Sequence, residues 1–244
     1  MTISKNGKVA LVTGANKGLG AEIATQLAGL GYTVLVAARD LAAGQAVVDK
    51  ITGAGGDARA VKLEVTSADD IASLASWIET HFHKLDVLVN NAGVALEWNE
   101  TGTTVERFRK TLDVNLVAPW AVTDALVPLL AKSGDARVIN QSSVLGSIAT
   151  CQGGYEQMGG FFTAGYATSK AGLNMLSMIQ SKALAAKNIA VASAHPGWVK
   201  TDLGSDAAPM EVAEGVKTVM GLVTVAREKF PHGHFQHLGA DLPW

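Results

Sequence analysis

Near its start, the chain has a short apolar run, Val9 to Val12, that leads directly into three closely spaced glycines, Gly14, Gly18 and Gly20. An apolar run of this length is typical of a buried parallel strand, and the residues after Gly20 have helical periodicity. The glycines therefore lie where a strand turns into a helix, and they permit positive φ and close backbone approach. Free N–H groups and a partial positive charge at the start of that helix suit a pyrophosphate.

Strand and helix patterns alternate along the rest of the chain. Strands are predicted at 32–37, 58–65, 86–89, 137–140 and 189–194, and helices at 41–51, 68–82 and 166–186. A long helical pattern between the fourth and fifth strands is interrupted at Pro119 and Pro128. This alternation predicts an α/β fold with a Rossmann-like, doubly wound parallel sheet in a single domain. Motifs that follow the strands are expected to share one cleft at their carboxyl ends.

Tyr166 and Lys170 are four residues apart in a predicted helix, so both side chains lie on one face. A phenol with an ordinary pKa of about 10 exchanges protons poorly at neutral pH, and a neighbouring cation favours the phenolate. Neither Tyr32 nor Tyr155 has a lysine at this spacing. The pair is a candidate for proton transfer, although the same spacing is also found on solvated helix faces.

Together with four further motifs in the same order, these features resemble short-chain dehydrogenases/reductases. The matching motifs are Thr13-Gly14-x3-Gly18-x-Gly20, Asn90-Asn91-Ala92-Gly93, Asn115, Ser142-Ser143-x2-Gly146, Tyr166-x3-Lys170 and Pro196-Gly197. Within that family, Ala37-Ala38-Arg39-Asp40 and the closing Leu242-Pro243-Trp244 are similar to the carbonyl reductase branch. The resemblance implies one domain over 1–244, with a cofactor-binding part at about 8–115 and a catalytic and substrate-binding part at about 116–244.

The resemblance implies hydride transfer between nicotinamide and a carbonyl or secondary alcohol. Tyr166 would be the acid in reduction and the base in oxidation, while Lys170 would lower its pKa and bind the nicotinamide ribose. Ser143, three residues before Gly146, would hold the substrate oxygen and stabilise the developing alkoxide. Asn115 would hold a water that passes the proton onward from Lys170. The sequence leaves two structural alternatives open: Ser143 as a turn or capping residue, and Asn115 as a polar residue at a helix kink.

The expected cofactor is NADP(H). An NAD-binding site usually has an acidic residue after the second strand, where this chain has Arg39. Arg39 and Lys17 together suit a 2′-phosphate. Asp40 could instead point inward and repel the phosphate, and both cations could be solvated surface residues. The other residues that the resemblance assigns to the cofactor are Gly14, Asn16, Gly18, Leu19, Gly20, Glu64, Val65, Asn91, Ala92, Gly93, Tyr166, Lys170, Pro196, Gly197, Val199 and Thr201.

The chain departs from the family between Ser143 and Tyr166, which are farther apart than in most members. The extra residues predict an insertion at about 147–165 over the mouth of the cleft. Residues expected to line an apolar substrate pocket, each of which could equally be core, are Trp98, Val144, Leu145, Tyr155, Phe161 and Trp198. An apolar pocket predicts ketones, aldehydes or α-keto esters as substrates.

The composition of the chain favours a small-molecule ligand over a macromolecular or membrane partner. The net charge is −2 and no basic run stands out, so neither nucleic acid nor a membrane surface is expected. A single cysteine, Cys151, fits a reducing compartment, and we expect no signal peptide and no stretch long enough to span a bilayer. The predicted location is therefore cytoplasmic. The pairs His81/His83 and His232/His234 have no third ligand, so no metal is expected.

Two other functions share the same motifs. A biosynthetic ketoreductase acting on a carrier-bound or β-keto substrate would need a basic docking patch near the cleft. A non-catalytic NADP(H)-sensing module is less favoured, because such relatives usually lack the pair that Tyr166 and Lys170 form here. The motifs do not distinguish a monomer from a homo-oligomer.

Overall fold

The computed structural model describes residues 5–97, 103–153 and 163–244. The strands are β1 (Val9–Thr13), β2 (Thr33–Ala38), β3 (Asp57–Lys62), β4 (Val87–Asn90), β5 (Ala136–Gln141), β6 (Ile189–Ala194), β7 (Phe235–His237) and β8 (Ala240–Asp241). The α-helices are α1 (Gly18–Gly29), α2 (Leu41–Gly53), α3 (Ala68–Phe82), α4 (Val105–Leu112), α5 (Ala118–Leu130), α6 (Ile148–Gln152), α7 (Ala164–Leu184), α8 (Val212–Gly215) and α9 (Lys217–Thr224). A π-helical turn, Asp113–Val117, joins α4 to α5.

One sheet contains these strands in the order β3-β2-β1-β4-β5-β6-β7-β8, with neighbours parallel except for the antiparallel pair β7/β8. The predicted Rossmann-like α/β fold is confirmed. The strand order reverses between β1 and β4, which is where such sheets open a crevice for a ligand. Strands β7 and β8 are not predicted by the sequence, because segments of three and two residues are too short to have a readable period.

Both faces of the sheet are buried. In β1, Ala10 and Val12 pack on one face, in the cluster that includes residues of α1, α2 and α9. Val9 and Leu11 pack on the other face, in the cluster that includes residues of α3 and α5. This two-sided burial explains why the strands read as continuous apolar runs rather than alternating patterns.

The two prolines between β4 and β5 act differently from the sequence prediction. Pro119 lies at the start of α5, directly after the π-helical turn, while Pro128 lies inside α5 without ending it. Pro119 has no N–H for the carbonyl of Asn115 four residues earlier, and the backbone widens there instead of breaking. Pro128 is close to the end of the helix, so only its last turn is affected.

The helical run Val105–Leu130 therefore continues for 26 residues, and its mean hydropathy reaches 1.2. By length and composition alone it passes for a membrane span, as the core helix of a folded domain also does, so the described residues contain no clear membrane-spanning helix. Within this run, Val122, Leu126 and Leu130 pack against the sheet, as a core helix of this fold requires.

Buried polar side chains join the carboxyl ends of three strands to α7. Asn90 and Asn140 are partners in register on β4 and β5, and Asn90 Nδ2 donates to Asn140 Oδ1 at 2.8 Å. Asn140 Nδ2 donates to Ser177 Oγ at 2.8 Å, and Ser193 Oγ on β6 hydrogen-bonds the same hydroxyl at 2.8 Å. Because Asn140 is fully buried, its amide must find these partners inside the protein. The network fixes the height of α7 on the sheet.

We predict that Asn140→Ala lowers the free energy of unfolding by about 2–4 kcal/mol, because it leaves a cavity and removes bonds from two buried partners. Ser193→Ala, which removes only the end of the network, should cost about 1 kcal/mol. Urea denaturation of both variants measures the difference. Equal losses in the two variants would show that Asn140 does not hold the network together.

Candidate active site

A cleft of about 670 Å³ opens at the carboxyl ends of the central strands. The predicted cofactor-binding residues that line it are Gly14, Asn16, Lys17, Gly18, Leu19, Gly20, Arg39, Glu64, Val65, Asn91, Ala92, Gly93, Tyr166, Lys170, Pro196 and Thr201. Gly197 and Val199 are not among the lining residues. The fold thus brings the predicted residues from four separate motifs, together with Arg39, Glu64, Val65 and Thr201, to one cavity, while their roles stay predictions.

The glycine turn is locked against the end of β4. Asn91 Nδ2 donates to the carbonyls of Thr13 and Gly14 at 2.9 and 3.2 Å. Gly14 has a φ of +64°, and a Cβ on Gly20 would lie 2.5 Å from Asn91 Nδ2, so side chains are excluded there. Helix α1 has neither a side-chain cap nor an acidic residue in its first turn. Its first N–H groups and their partial positive charge are therefore suited to an anionic ligand.

The end of β2 presents one cation to the cleft. The Arg39 side chain is 76% exposed, and its Nε lies 3.8 Å from Glu64 Oε2. Asp40 does not point inward, because its Oδ1 accepts hydrogen bonds from the N–H groups of Ala42 and Ala43 and caps α2. The carboxylate that could have repelled a 2′-phosphate is thus turned toward a helix N-terminus.

The second predicted cation, Lys17, reaches across the cleft. Its Nζ donates to Asp202 Oδ2 at 2.5 Å, in the segment 201–210 that follows β6. Both side chains are largely exposed, so this ion pair is weak and a stronger anion can compete with it. A hydrogen bond holds the two ends of this segment together: the N–H of Lys200, just before it, donates to the carbonyl of Met210 at 2.9 Å.

Lys170 and Tyr166 are both buried at the inner end of the cleft. Lys170 Nζ donates to the carbonyl of Gln141 at 2.7 Å and lies 5.5 Å from the centre of the Tyr166 ring. Burial lowers the pKa of Lys170 to about 8. Burial also raises the pKa of Tyr166 to about 12, and a hydrogen bond with Ser143 offsets this only in part. This direction is opposite to the predicted lowering of the phenol pKa by Lys170, because desolvation is the largest influence on Tyr166.

Ser143 follows β5 and faces the phenol. Its hydroxyl hydrogen-bonds Tyr166, while its Oγ also accepts from the N–H of Leu145 at 3.2 Å. Ser142 Oγ instead donates to the carbonyl of Lys170 at 3.4 Å, in the body of α7. Ser142 is among the residues that line the cleft and Ser143 is not, whereas Ser143 is the serine that hydrogen-bonds the phenol. The capping alternative is confirmed, since the Ser143 hydroxyl starts the turn Val144–Gly146, and its role in substrate binding stays a prediction.

Asn115 is fully buried in the π-helical turn. Its Oδ1 accepts from the N–H of Val94, and its Nδ2 donates to the carbonyl of Val94, both at 2.8 Å. Nδ2 also donates to Ser169 Oγ at 3.0 Å. The side chain therefore holds the loop after β4 against α7, as the kink alternative requires. Both polar atoms of the side chain therefore have protein partners, and a relay water at Asn115 stays a prediction.

Glu97 is a site residue that sequence reasoning missed. Its carboxylate is buried and accepts from the N–H of Gly165 at 2.7 Å and of Tyr166 at 3.0 Å. These charge-assisted bonds cap α7, which therefore begins at Ala164, two residues before the predicted start. A Cβ on Gly165 would lie 2.6 Å from Glu97 Oε1, so the glycine is required. No local pattern links residues this far apart in sequence.

The predicted substrate residues are only partly placed. Trp98, Tyr155 and Phe161 lie outside the described residues. Val144 and Leu145 follow Ser143 on a short turn, and Trp198 Nε1 donates to the carbonyl of Gly204 at 2.6 Å. These last three are not among the residues that line the cleft, so the predicted pocket is not reproduced. The apolar residues that do line it are Leu19, Leu63, Val65, Ala92, Val94, Ala95, Leu96, Val114, Pro196 and Leu203.

His195 stabilises the loop after β5. Burial, followed by repulsion from His237, lowers the pKa of His195 to about 3. Neutral His195 accepts through Nδ1 from the N–H of Val144 at 3.3 Å, which steadies the turn after Ser143. Within 5–97, 103–153 and 163–244, no three His, Cys, Asp or Glu residues are grouped to hold a metal ion.

Relatives with known activities cover most of the chain. Cyclohexanol dehydrogenase from Acinetobacter sp. (strain SE19) is 35% identical over 213 residues, which cover 87% of this chain and 80% of that protein. A 3-oxoacyl-[acyl-carrier-protein] reductase from Synechocystis sp. is 34% identical over 197 residues, which cover 80% of this chain and 76% of that protein.

A solved structure and a family model also match most of this chain. The crystal structure of NADPH-bound carbonyl reductase from chicken fatty liver has a TM-score of 0.86 and 29% sequence identity, and the match covers 100% of both chains. Residues 8–212 match the model of the short chain dehydrogenase family. The chain therefore belongs to the short-chain dehydrogenase family and is an oxidoreductase of that family.

Proposed function

We propose that this protein reduces an apolar ketone or aldehyde to the alcohol, reversibly, with NADPH as the hydride donor. The observation that carries the proposal is the hydrogen bond between Ser143 and Tyr166, because Tyr166 and the neighbouring Lys170 are buried residues that line the cleft. This arrangement has an oxygen-binding hydroxyl, a protonated phenol and an ammonium within one desolvated space. Those are the groups needed to receive a carbonyl oxygen and protonate it.

The residues around the cleft fit a dinucleotide. The uncapped start of α1 and the turn at Gly14 and Gly18 would hold the pyrophosphate. Arg39 would hold the 2′-phosphate, since the Asp40 carboxylate is turned away from the cleft. The carbonyl reductase from chicken liver, similar along its whole length, is NADPH-bound. Bound NADPH supplies the hydride, while the chain supplies position and proton transfer.

In the proposed reduction, the carbonyl oxygen accepts hydrogen bonds from Ser143 and Tyr166. A phenol with a pKa of about 12 is fully protonated at neutral pH and ready to donate. As negative charge develops on the oxygen, the proton moves from Tyr166, and charged Lys170 stabilises the phenolate that forms. The Asn115 carbonyl and its water would then return a proton by way of Lys170.

Apolar lining near the catalytic end supports an apolar substrate. Val94, Ala95 and Leu96 follow Gly93, where a Cβ would lie 3.7 Å from Lys170 Nζ. To test the function, oxidation of NADPH is followed with aromatic ketones, α-keto esters and aldehydes, with NADH in parallel. Turnover of several apolar carbonyls supports the proposal, and turnover of charged substrates alone contradicts it.

A ketoreductase acting on a carrier-bound substrate is the second candidate, because a 3-oxoacyl-[acyl-carrier-protein] reductase is among the relatives. Such an enzyme needs a cationic surface for its carrier. Beside the described part of the cleft, Lys17 is paired with Asp202 and Lys200 with Glu211. A 3-oxoacyl thioester in the same panel separates the candidates, since its exclusive turnover would favour the second. We propose a cytoplasmic location for either enzyme.

We predict that Tyr166→Phe lowers kcat for carbonyl reduction about 10²–10⁴-fold, because the variant has no acid to transfer a proton to the substrate oxygen. NADPH affinity should change little, as measured by quenching of protein fluorescence. Tyr32→Phe is the matched control, since Tyr32 is also a buried tyrosine but does not line the cleft. Retained turnover in the Tyr166 variant would exclude this residue as the proton donor.

We predict that Arg39→Asp weakens NADPH binding roughly 10–100-fold and favours NADH, because attraction to the 2′-phosphate becomes repulsion. Lys50→Asp makes the same change of net charge on α2, at an exposed position outside the cleft. That control should leave both affinities unchanged. Unaltered NADPH affinity in the Arg39 variant would refute the assignment.

The rate of reduction should fall as the pH rises above about 8, where Lys170 loses its proton. Burial lowers this pKa, so the charged form that stabilises the phenolate is present below pH 8 and lost above it. The kcat/KM for the carbonyl, measured at saturating NADPH from pH 6 to 10, should approach a tenfold decrease per unit. A flat profile to pH 10 would show that the charge of Lys170 is not required.

A further inference from the structure

Gln141 is the last residue of β5 and lies at the inner end of the cleft. The residue lines the cavity with Ser142, Tyr166 and Lys170, and only 6% of it is exposed. Neither Oε1 nor Nε2 has a hydrogen-bond partner among the described residues. An amide in this state costs free energy that an apolar side chain of the same size would not cost. The orphaned amide therefore points to a polar ligand.

Other buried polar atoms without partners are placed differently. In the described part of the chain, these are Thr111 Oγ1 and Asn174 Oδ1, and neither residue lines the cleft. Gln141 is the one residue among these three that lines the cleft. Its backbone is already committed, since its carbonyl accepts from Lys170 Nζ at 2.7 Å. Only the side-chain amide remains for a ligand.

The strand order shows which part of a dinucleotide Gln141 can reach. Arg39 follows β2 and the glycine turn follows β1, whereas Gln141 ends β5, beyond β4. Neighbouring strands are about 4.8 Å apart, so Gln141 lies roughly 14 Å from the end of β2. Its neighbours Tyr166 and Lys170 belong to the proposed hydride-transfer end. The amide is thus far from the adenosine half of a bound cofactor.

We propose that the Gln141 side chain binds the nicotinamide-ribose half of NADP(H), through one or both atoms of its amide. A primary amide donates and accepts, which matches the carboxamide and ribose hydroxyls of that half. The inference rests on the proposed function only in taking NADP(H) as the ligand. It adds a polar contact that the sequence analysis did not assign.

Gln141→Met tests the proposal, because it removes the amide, keeps the length of the side chain and leaves the carbonyl bonded to Lys170. NADPH affinity should fall about three- to tenfold, the loss expected for one net hydrogen bond. Affinity for adenosine 2′,5′-bisphosphate, which lacks the nicotinamide half, should be unchanged. Without cofactor, the variant should melt about 2–4 °C higher, because the orphaned amide is gone.

Thr111→Val is the matched control, since it removes a buried hydroxyl without a partner outside the cleft. It should raise the melting temperature and leave NADPH affinity unchanged. Gln141→Leu replaces the Met variant should that fold poorly. Unchanged NADPH affinity in a folded Gln141 variant overturns the proposal, as does an increase confined to the KM of the carbonyl. A wild-type protein that binds no NADPH would instead refute the proposed function.

Discussion

The pairing of β1 with β4 is the constraint on which the site depends. β1 has β2 on its other side, so the chain leaves these two strands in opposite directions and opens a crevice between them. Asn91 closes the base of that crevice by binding the carbonyls of Thr13 and Gly14. The proposed phosphate site on one side and the proposed proton-transfer site on the other are then parts of one cleft.

Burial governs the chemistry at the inner end of that cleft. Desolvation favours the neutral forms of both partners, so it lowers the pKa of Lys170 and raises that of Tyr166. The Tyr166 side chain is therefore a protonated phenol and not a phenolate paired with an ammonium. For a reductase this state is useful, because the acid must be protonated before the carbonyl arrives.

Much of this architecture can be predicted from the sequence, and what escapes prediction has physical reasons. The central strands are buried on both faces, so their apolar runs are unambiguous, and the glycine turn and the pair Tyr166 and Lys170 are local patterns. Glu97 escapes because its partners are 68 and 69 residues away. The pKa of Tyr166 escapes for a related reason: spacing indicates which cation is near, but only the packed structure shows how completely water is removed.

Polar groups buried near the carboxyl ends of the strands divide into two kinds. Asn90, Asn140 and Ser177 satisfy one another, and they stabilise the position of α7 whether or not a ligand is present. Gln141, one residue after Asn140, has no such partner and faces the cleft. A chain selected only for stability would have an apolar residue at this strand end, as it has at Val138 and Ile139. Asn140, whose amide is hydrogen-bonded within the protein, thus belongs to the scaffold, and Gln141, whose amide is not, belongs to the proposed ligand site.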